Sequence, residues 1–139
     1  MMAAADIQAC EYTVLLVDAD HAARGELGAV LRRGGYQTRD FDRAAELLAA
    51  PDHVFHWSCV VSELSLPDMT GLDLVRNLRD RAIRTPVIVL TAQADIPTAV
   101  HALRNDVADF LLKPVVERDL LRRVETALVR HAELVRTFS

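Results

Sequence analysis

Residues 12–18 read YTVLLVD, a β-branched and aliphatic run that ends in an acid. The run is continuous rather than alternating, which is typical of a parallel strand covered on both faces. Two more runs of this kind follow: CVVSEL at residues 59–64 and PVIVLT at residues 86–91. These stretches predict the buried centre of a parallel sheet, in which a polar residue ends each strand.

Helical patterns separate the strand-like runs. In residues 21–33 the apolar positions recur at helical spacing, and Gly34 and Gly35 stop the pattern. The predicted strands are residues 12–17, 36–41, 59–64, 86–91 and 108–112, and the predicted helices are residues 21–33, a helix capped by Asp42 that runs to Ala50, residues 72–80, a helix beginning at Pro97, and one from Val116 onward. Five strand–helix units with right-handed crossovers predict an α/β fold, a doubly wound parallel sheet of five strands with five helices.

Length and composition exclude several classes of protein. A chain of 139 residues fits one domain, and we expect a tail over residues 1–11 and the domain over residues 12–136. No apolar run is long enough to span a membrane, and the start resembles no secretory signal. Two cysteines make a disulfide scaffold improbable, so a cytoplasmic location is expected. The net charge of -4 argues against direct nucleic-acid binding.

Four polar residues stand at the ends of four different strands: Asp18, Glu63, Thr91 and Lys113. Ligands of open α/β sheets gather at the carboxyl ends of the strands, so these side chains predict one site. Lys113 is the chain's only lysine among 16 basic residues, the rest being arginine. That bias suggests a specific role for a compact ammonium group.

The sequence resembles the receiver domain of bacterial response regulators over residues 13–134. The segments that carry the resemblance are VLLVDAD at residues 14–20, SELSLPDMTG at residues 62–71, VIVLTA at residues 87–92 and DFLLKP at residues 109–114. The spacing from Glu63 to Thr91 and from Thr91 to Lys113 is similar to that of receivers preceding LuxR-type DNA-binding domains. The resemblance implies a flavodoxin-like sheet with strand order 2-1-3-4-5 and a role in two-component signalling and transcription regulation.

The resemblance also implies a chemistry and residue roles. In the family, acids ending strands 1 and 3 hold Mg²⁺, and the strand-3 aspartate accepts a phosphoryl group from a histidine kinase. Metal and ammonium neutralise the charge that develops during transfer. Lys113 matches the ammonium, Thr91 the switch hydroxyl, Phe110 the switch aromatic, and Ser65 the residue whose carbonyl binds metal. The Lys113–Pro114 bond matches one that is typically cis.

Two departures fall on that chemistry. Glu63 stands at the phosphoacceptor position, and Ala19 stands where the second, metal-directed acid is usual. The residual metal site therefore consists of Asp18, Asp20, Glu63 and Ser65, and Mg²⁺ binding is expected to be weak or absent. Strand alternation puts positions 18 and 20 on one face, so Asp20 is a partial substitute only if the strand end relaxes.

The sequence thus predicts an atypical receiver: a signalling and protein-interaction module, not an enzyme, that is independent of phosphorylation or mimics it through Glu63. An active-like state, an inactive-like state and neither of the two stay open, as does the origin of Glu63 by design or by natural change. The alternative is a Mg²⁺-dependent receiver that accepts phosphate from a histidine kinase. An unrelated nucleotide-binding enzyme is disfavoured, because no glycine-rich loop follows the first strand.

The last helix has a regular apolar face. Leu120, Val124, Ala127, His131 and Leu134 recur at helical spacing, which predicts a face packed on the core. The alternative is that its distal end forms a dimer or linker helix.

Expected partners are a histidine kinase or another signalling protein, and a second copy through the face of helix 4, strand 5 and helix 5. No output domain is expected within the 139 residues, and no membrane partner.

Overall fold

The computed structural model describes residues 8–92, 97, 100, 101, 104 and 106–138. The strands are β1 Thr13–Val17, β2 Gln37–Phe41, β3 Ser58–Glu63, β4 Val87–Thr91 and β5 Asp109–Leu112. The helices with described bounds are α1 His21–Arg33, α2 Ala44–Leu48, α3 Gly71–Asp80 and the C-terminal helix Glu117–Phe138, with 3-10 turns at Ala9–Glu11 and Asp52–Phe55.

The five strands form one parallel sheet in the order β2-β1-β3-β4-β5, as predicted. Val17 of β1 pairs with Ser62 of β3, so the next residues, Asp18 and Glu63, leave their strands at the same level. Thr91 ends β4, and its carbonyl accepts the Lys113 backbone N–H at 2.7 Å. The register therefore brings all four predicted strand-end residues to one edge.

A separate apolar cluster covers each face of the sheet. One joins β1, β3 and β4 to α2 and α3, around Leu15, Val60 and Leu74. The other joins the same strands to α1 and the C-terminal helix, around Leu16 and Leu128. Both faces of the central strands are buried, which explains their uninterrupted apolar sequence.

The start of α2 differs from the prediction that Asp42 caps it. Arg43 occupies the cap position and makes no side-chain cap hydrogen bond. Instead, the Asp68 carboxylate, from the loop after β3, accepts from the backbone N–H groups of Ala44 and Ala45 at 3.2 and 2.8 Å. These hydrogen bonds hold the pKa of Asp68 below its usual 3.8, although desolvation opposes the shift. The cap thus comes from a residue distant in sequence.

Two other predictions concern helices. Of the helix predicted from Pro97, residues 97, 100, 101 and 104 are helical, and the rest lies outside the described residues. In the C-terminal helix the predicted core-facing pattern holds for Leu120, Val124 and Ala127, which are buried, whereas Leu134 is 57% exposed. The division into a tail over residues 1–11 and a domain over residues 12–136 stays a prediction.

Candidate functional site

The site is centred on the single lysine. Lys113 Nζ lies 3.3 Å from Asp18 Oδ2 and 3.2 Å from Glu63 Oε2, so one ammonium serves carboxylates from two strands. The contact with Asp18 has hydrogen-bond geometry. Glu63 Oε2 is buried and has no hydrogen-bond partner among the described residues, so its contact with the ammonium is an electrostatic one.

Burial makes this arrangement stronger than a surface ion pair. The side chain of Asp18 is 6% exposed, and that of Glu63 is 17% exposed. Partial burial of Lys113 disfavours its charge, but the two carboxylates more than offset this, so its pKa is raised above the usual 10.5. Lys113 is therefore fully charged at neutral pH and tied to both acids.

Asp18 is held from three directions. Its Oδ1 accepts the Asp20 backbone N–H at 2.9 Å, and its Oδ2 faces Lys113. Arg24, reaching back from α1, donates Nη1 to the Asp18 backbone carbonyl at 2.7 Å. The Arg24 side chain is 14% exposed, and its Nε lies 3.6 Å from Asp40 on β2. This arginine fastens the end of β1 to α1.

Asp20 has a structural task. Its Oδ1 accepts from the backbone N–H groups of Ala22 and Ala23 at 3.0 and 3.1 Å, which makes it the N-cap of α1. An aspartate directly before a helical pattern is a recognised cap signal. Ala19, between the two aspartates, is exposed and offers no ligand atom.

The chain passes tightly behind Glu63. Leu64 N–H donates to the Leu90 carbonyl, and Gly71 N–H donates to the Leu64 carbonyl, both at 2.7 Å. A Cβ at Gly71 would lie 2.8 Å from the Glu63 carbonyl oxygen, so only glycine fits. Thr70 and Asp73 then form a capping box that starts α3.

The predicted switch residues lie on β4 and β5. Thr91 is buried at 4% exposure. Phe110 pairs with Val89 and is partly buried against the cluster that contains α2 and α3. Ser65 is exposed in the loop after β3, where it bridges to Thr70. The Lys113–Pro114 bond is cis, as the resemblance implied.

The arranged residues fit a Mg²⁺ ion poorly. Lys113 contacts Asp18 Oδ2 and Glu63 Oε2, and Asp18 Oδ1 accepts a backbone N–H, whereas Mg²⁺ demands near-octahedral oxygen ligands. The Asp20 carboxylate caps a helix, and Ala19 supplies nothing. Within the described part of the chain, no three His, Cys, Asp or Glu side chains converge on a common point.

Sequence reasoning missed Arg24 and Asp68. Helical periodicity does not predict that Arg24 contacts the end of β1. Asp68 contacts the start of α2 only because the loop after β3 folds back toward that helix. The cap role of Asp20 was not predicted either, although an aspartate directly before a helical pattern is a recognised signal for it.

Residues 14–125 match the family described as response regulator receiver domain. The chain therefore belongs to the receiver domains of response regulators, which are signalling modules. No helix in the described ranges has the length and apolarity needed to cross a membrane.

Named relatives agree with that assignment. Transcriptional regulatory protein FixJ of Rhizobium meliloti (strain 1021) is 36% identical over 118 residues, which is 84% of this chain and 57% of that protein. Response regulator protein TmoT of Ectopseudomonas mendocina is 32% identical over 118 residues, 85% of this chain and 53% of that protein. The chain thus spans a little over half the length of the curated relatives it matches.

Solved structures give the same fold. The crystal structure of FixJ-N is 34% identical, with a TM-score of 0.80 over 88% of this chain and 95% of that one. The response regulator StyR is 31% identical, with a TM-score of 0.81 over 91% of this chain and 64% of that one.

Proposed function

We propose that this receiver domain is atypical and signals without ordinary aspartyl phosphorylation. The observation that carries the proposal is the ammonium of Lys113 held between Asp18 and Glu63. In the family's chemistry that ammonium neutralises a phosphoryl group on the strand-3 aspartate, and here the longer side chain of Glu63 places its carboxylate 3.2 Å from the ammonium. The domain then acts as a protein-interaction module rather than an enzyme.

Geometry also supports Glu63 as a poor acceptor. Relative to aspartate, its extra methylene moves the carboxylate by up to about 1.5 Å, the length of one C–C bond. In-line transfer depends on position, and a misplacement of about 1 Å can cost roughly 100-fold in rate. The poor fit to Mg²⁺ removes a further source of charge neutralisation.

Glu63 has the features of a partial phosphoryl mimic. Its longer arm places negative charge next to Lys113, but one carboxylate offers less than the charge of about -1.5 to -2 and the three oxygens of a phosphoryl group. An outward Phe110 with Thr91 turned away from Glu63 would count against mimicry, whereas the partial burial of Phe110 against the apolar cluster of α2 and α3 supports the proposal. An active-like state follows from this proposal.

A second candidate is a Mg²⁺-dependent receiver that accepts phosphate from a histidine kinase. It is favoured by Asp18, Thr91 and Lys113, which stand at the family's positions. Lys113 contacts one oxygen of each carboxylate, so this candidate requires either the other oxygens of Asp18 and Glu63 to hold the metal or Lys113 to move away.

The experiment compares acceptors directly. The wild type, E63D, the double variant A19D/E63D and the E63A blank are incubated with a radiolabelled acyl phosphate and Mg²⁺, and label is counted after denaturing electrophoresis. We expect background label on the wild type and E63A, and label rising from E63D to A19D/E63D. Stoichiometric label on Glu63 would overturn the proposal, as would millimolar or tighter Mg²⁺ binding by calorimetry.

The partners belong to the same proposal. A second copy can pack on the face that includes β5 and the start of the C-terminal helix, where Leu112 and Val116 are 57% and 59% exposed. A histidine kinase or another signalling protein is the upstream partner. A transcriptional output is proposed because relatives are named as transcriptional regulatory proteins. A cytoplasmic location, expected from the sequence, completes the proposal.

A further inference from the structure

A long groove runs along the opposite end of the sheet from Glu63. Two adjoining hollows, of about 850 and 640 Å³, meet at Arg84, His131 and Val135. We call them together the amino-end groove, because they lie where β1, β3 and β4 begin. Ligands of open α/β sheets are expected at the carboxyl ends, so the family site does not account for this groove.

The first hollow has an apolar and aromatic lining. Trp57 stands at its lip with 62% of its surface exposed, edge-on to the ring of Tyr12 at 5.5 Å between centroids. Its backbone has a φ of 55°, and Ala82 in the same hollow has a φ of 60°. A left-handed conformation is uncommon for a bulky residue such as Trp57. That of Ala82 belongs to the C-terminal cap of α3, in which Ile83 N–H donates to the Leu78 carbonyl at 2.9 Å.

Apart from Val100, the exposed large apolar side chains of the described residues lie on two surfaces. Among the described residues, Leu112 and Val116 belong to the face already proposed for a second copy. Trp57, Leu134 and Val135 belong to the amino-end groove, with exposures of 62%, 57% and 51%. Aromatic and aliphatic groups on a concave, exposed surface are typical anchors for a bound partner.

The charge of the second hollow identifies the partner's chemistry. Four arginines line it against two aspartates, although the whole chain carries a net charge of -4. Both aspartates are already paired, Asp106 with Arg79 at 3.2 Å and Asp109 with Arg123 at 3.0 Å. Arg84 and Arg130 remain, exposed and without an ion pair among the described residues.

His131 lies where the two hollows meet. It is half-buried between the hollows, and burial together with the charge of Arg79 lowers its pKa below 6.5. His131 therefore adds no positive charge to the groove at neutral pH, and the arginines alone supply it.

We propose that the amino-end groove docks an acidic amphipathic peptide segment of another protein. Apolar side chains of that segment pack between Trp57 and Val135, and its carboxylates pair with Arg84 and Arg130. This binding is independent of the chemistry at Glu63, because the two surfaces lie at opposite ends of the sheet.

Trp57 is the chain's only tryptophan, so its emission reports occupancy of the groove directly. The probe is an amphipathic peptide of about 18 residues, five helical turns, with leucine on one face and glutamate elsewhere. A lysine-for-glutamate version is the charge control. We expect a saturable blue shift with the glutamate peptide only, and weaker binding as salt rises from about 0.05 to 0.5 M.

Variants separate docking from general attraction. R84E/R130E should weaken binding by about tenfold or more, V135S should weaken it, and R118E, an equally exposed arginine outside the groove, should not. E63D should bind normally, which keeps this proposal distinct from the proposed function. Circular dichroism checks folding, and the salt dependence of the wild type tests the proposal without any variant.

Three outcomes would overturn the proposal. One is the absence of a saturable shift, and another is equal binding of the lysine peptide or equal loss in R118E. The third is a shift that depends on protein concentration alone and coincides with dimers in light scattering, since a second copy would then cover the groove.

Discussion

The two ends of the sheet use cations in opposite ways. At the carboxyl end, one ammonium lies against two largely buried carboxylates, and removing it leaves both without a countercharge. At the amino end, arginines outnumber acids, and Arg84 and Arg130 have no acid to satisfy. The difference teaches that the cation of the carboxyl end pairs with acids of the same chain, whereas two cations of the amino end are left to pair with another molecule.

The strongest way to break this comparison is K113M. It leaves two acids facing each other, so the free energy of unfolding should fall by about 2 kcal/mol, less than the ~3–5 kcal/mol of a fully buried pair because Lys113 is partly exposed. Urea denaturation measures the change. R118M, which removes an exposed cation, should stay within about 0.5 kcal/mol. Equal losses in the two variants would contradict the pairing of Lys113 with acids of its own chain.

The pH dependence of the same pair sharpens the comparison. The folded-state pKa of Lys113 is raised above 10.5, so its stabilising effect is fully present below pH 10.5 and is lost as pH rises through the folded value. The stability advantage of wild type over K113M should be constant at neutral pH and shrink above pH 10.5. An advantage that persists unchanged far into the alkaline range would show that charge is not its source.

The close packing behind Glu63 is tested by an alanine substitution at Gly71, and the same substitution at Gly25 is the control. G71A places a Cβ 2.8 Å from a backbone oxygen and should destabilise by about 1–2 kcal/mol. G25A, in α1, meets nothing within 4 Å and should stabilise by about 0.5–1 kcal/mol through better helix propensity. Thermal melts of both variants provide the measurement, and the same sign in both would contradict the packing described.

The smallest expected effect belongs to the amino end. R84E/R130E should change the free energy of unfolding by no more than about 0.5 kcal/mol, since neither arginine has an ion pair among the described residues. Urea denaturation at low salt checks this. A loss as large as that of K113M would mean that these arginines stabilise the fold and are not reserved for a partner.

Most of the fold was predictable because each unit carries its own signal. The runs before Asp18, Glu63 and Thr91 are continuous and apolar, and the sheet order follows from the family pattern they form. The cluster of Asp18, Glu63 and Lys113 was predictable for the same reason, because parallel strands end at one edge.

The contacts that could not be predicted from the sequence are made by loops and by long side chains. The prediction that Asp42 caps α2 was wrong because Asp68, which lies 24 residues after Ala44, accepts from the backbone N–H groups at the start of the helix. Arg24 is similar, since its contact with the Asp18 carbonyl needs the folded angle between β1 and α1. The direct contact between Lys113 and Glu63 could not be predicted either, because the strand ends fix where the two residues begin but not how far their side chains extend.

Lys113 is the protein's sole ε-amine, and this has a consequence for its chemical reactivity. An amine attacks acylating reagents only when unprotonated, and the two acids beside Lys113 keep that fraction very small at neutral pH. Its nucleophilicity should therefore be suppressed for as long as the Asp18 and Glu63 contacts persist. Acylation of one amine, followed over time by mass, would then record how often that cluster opens.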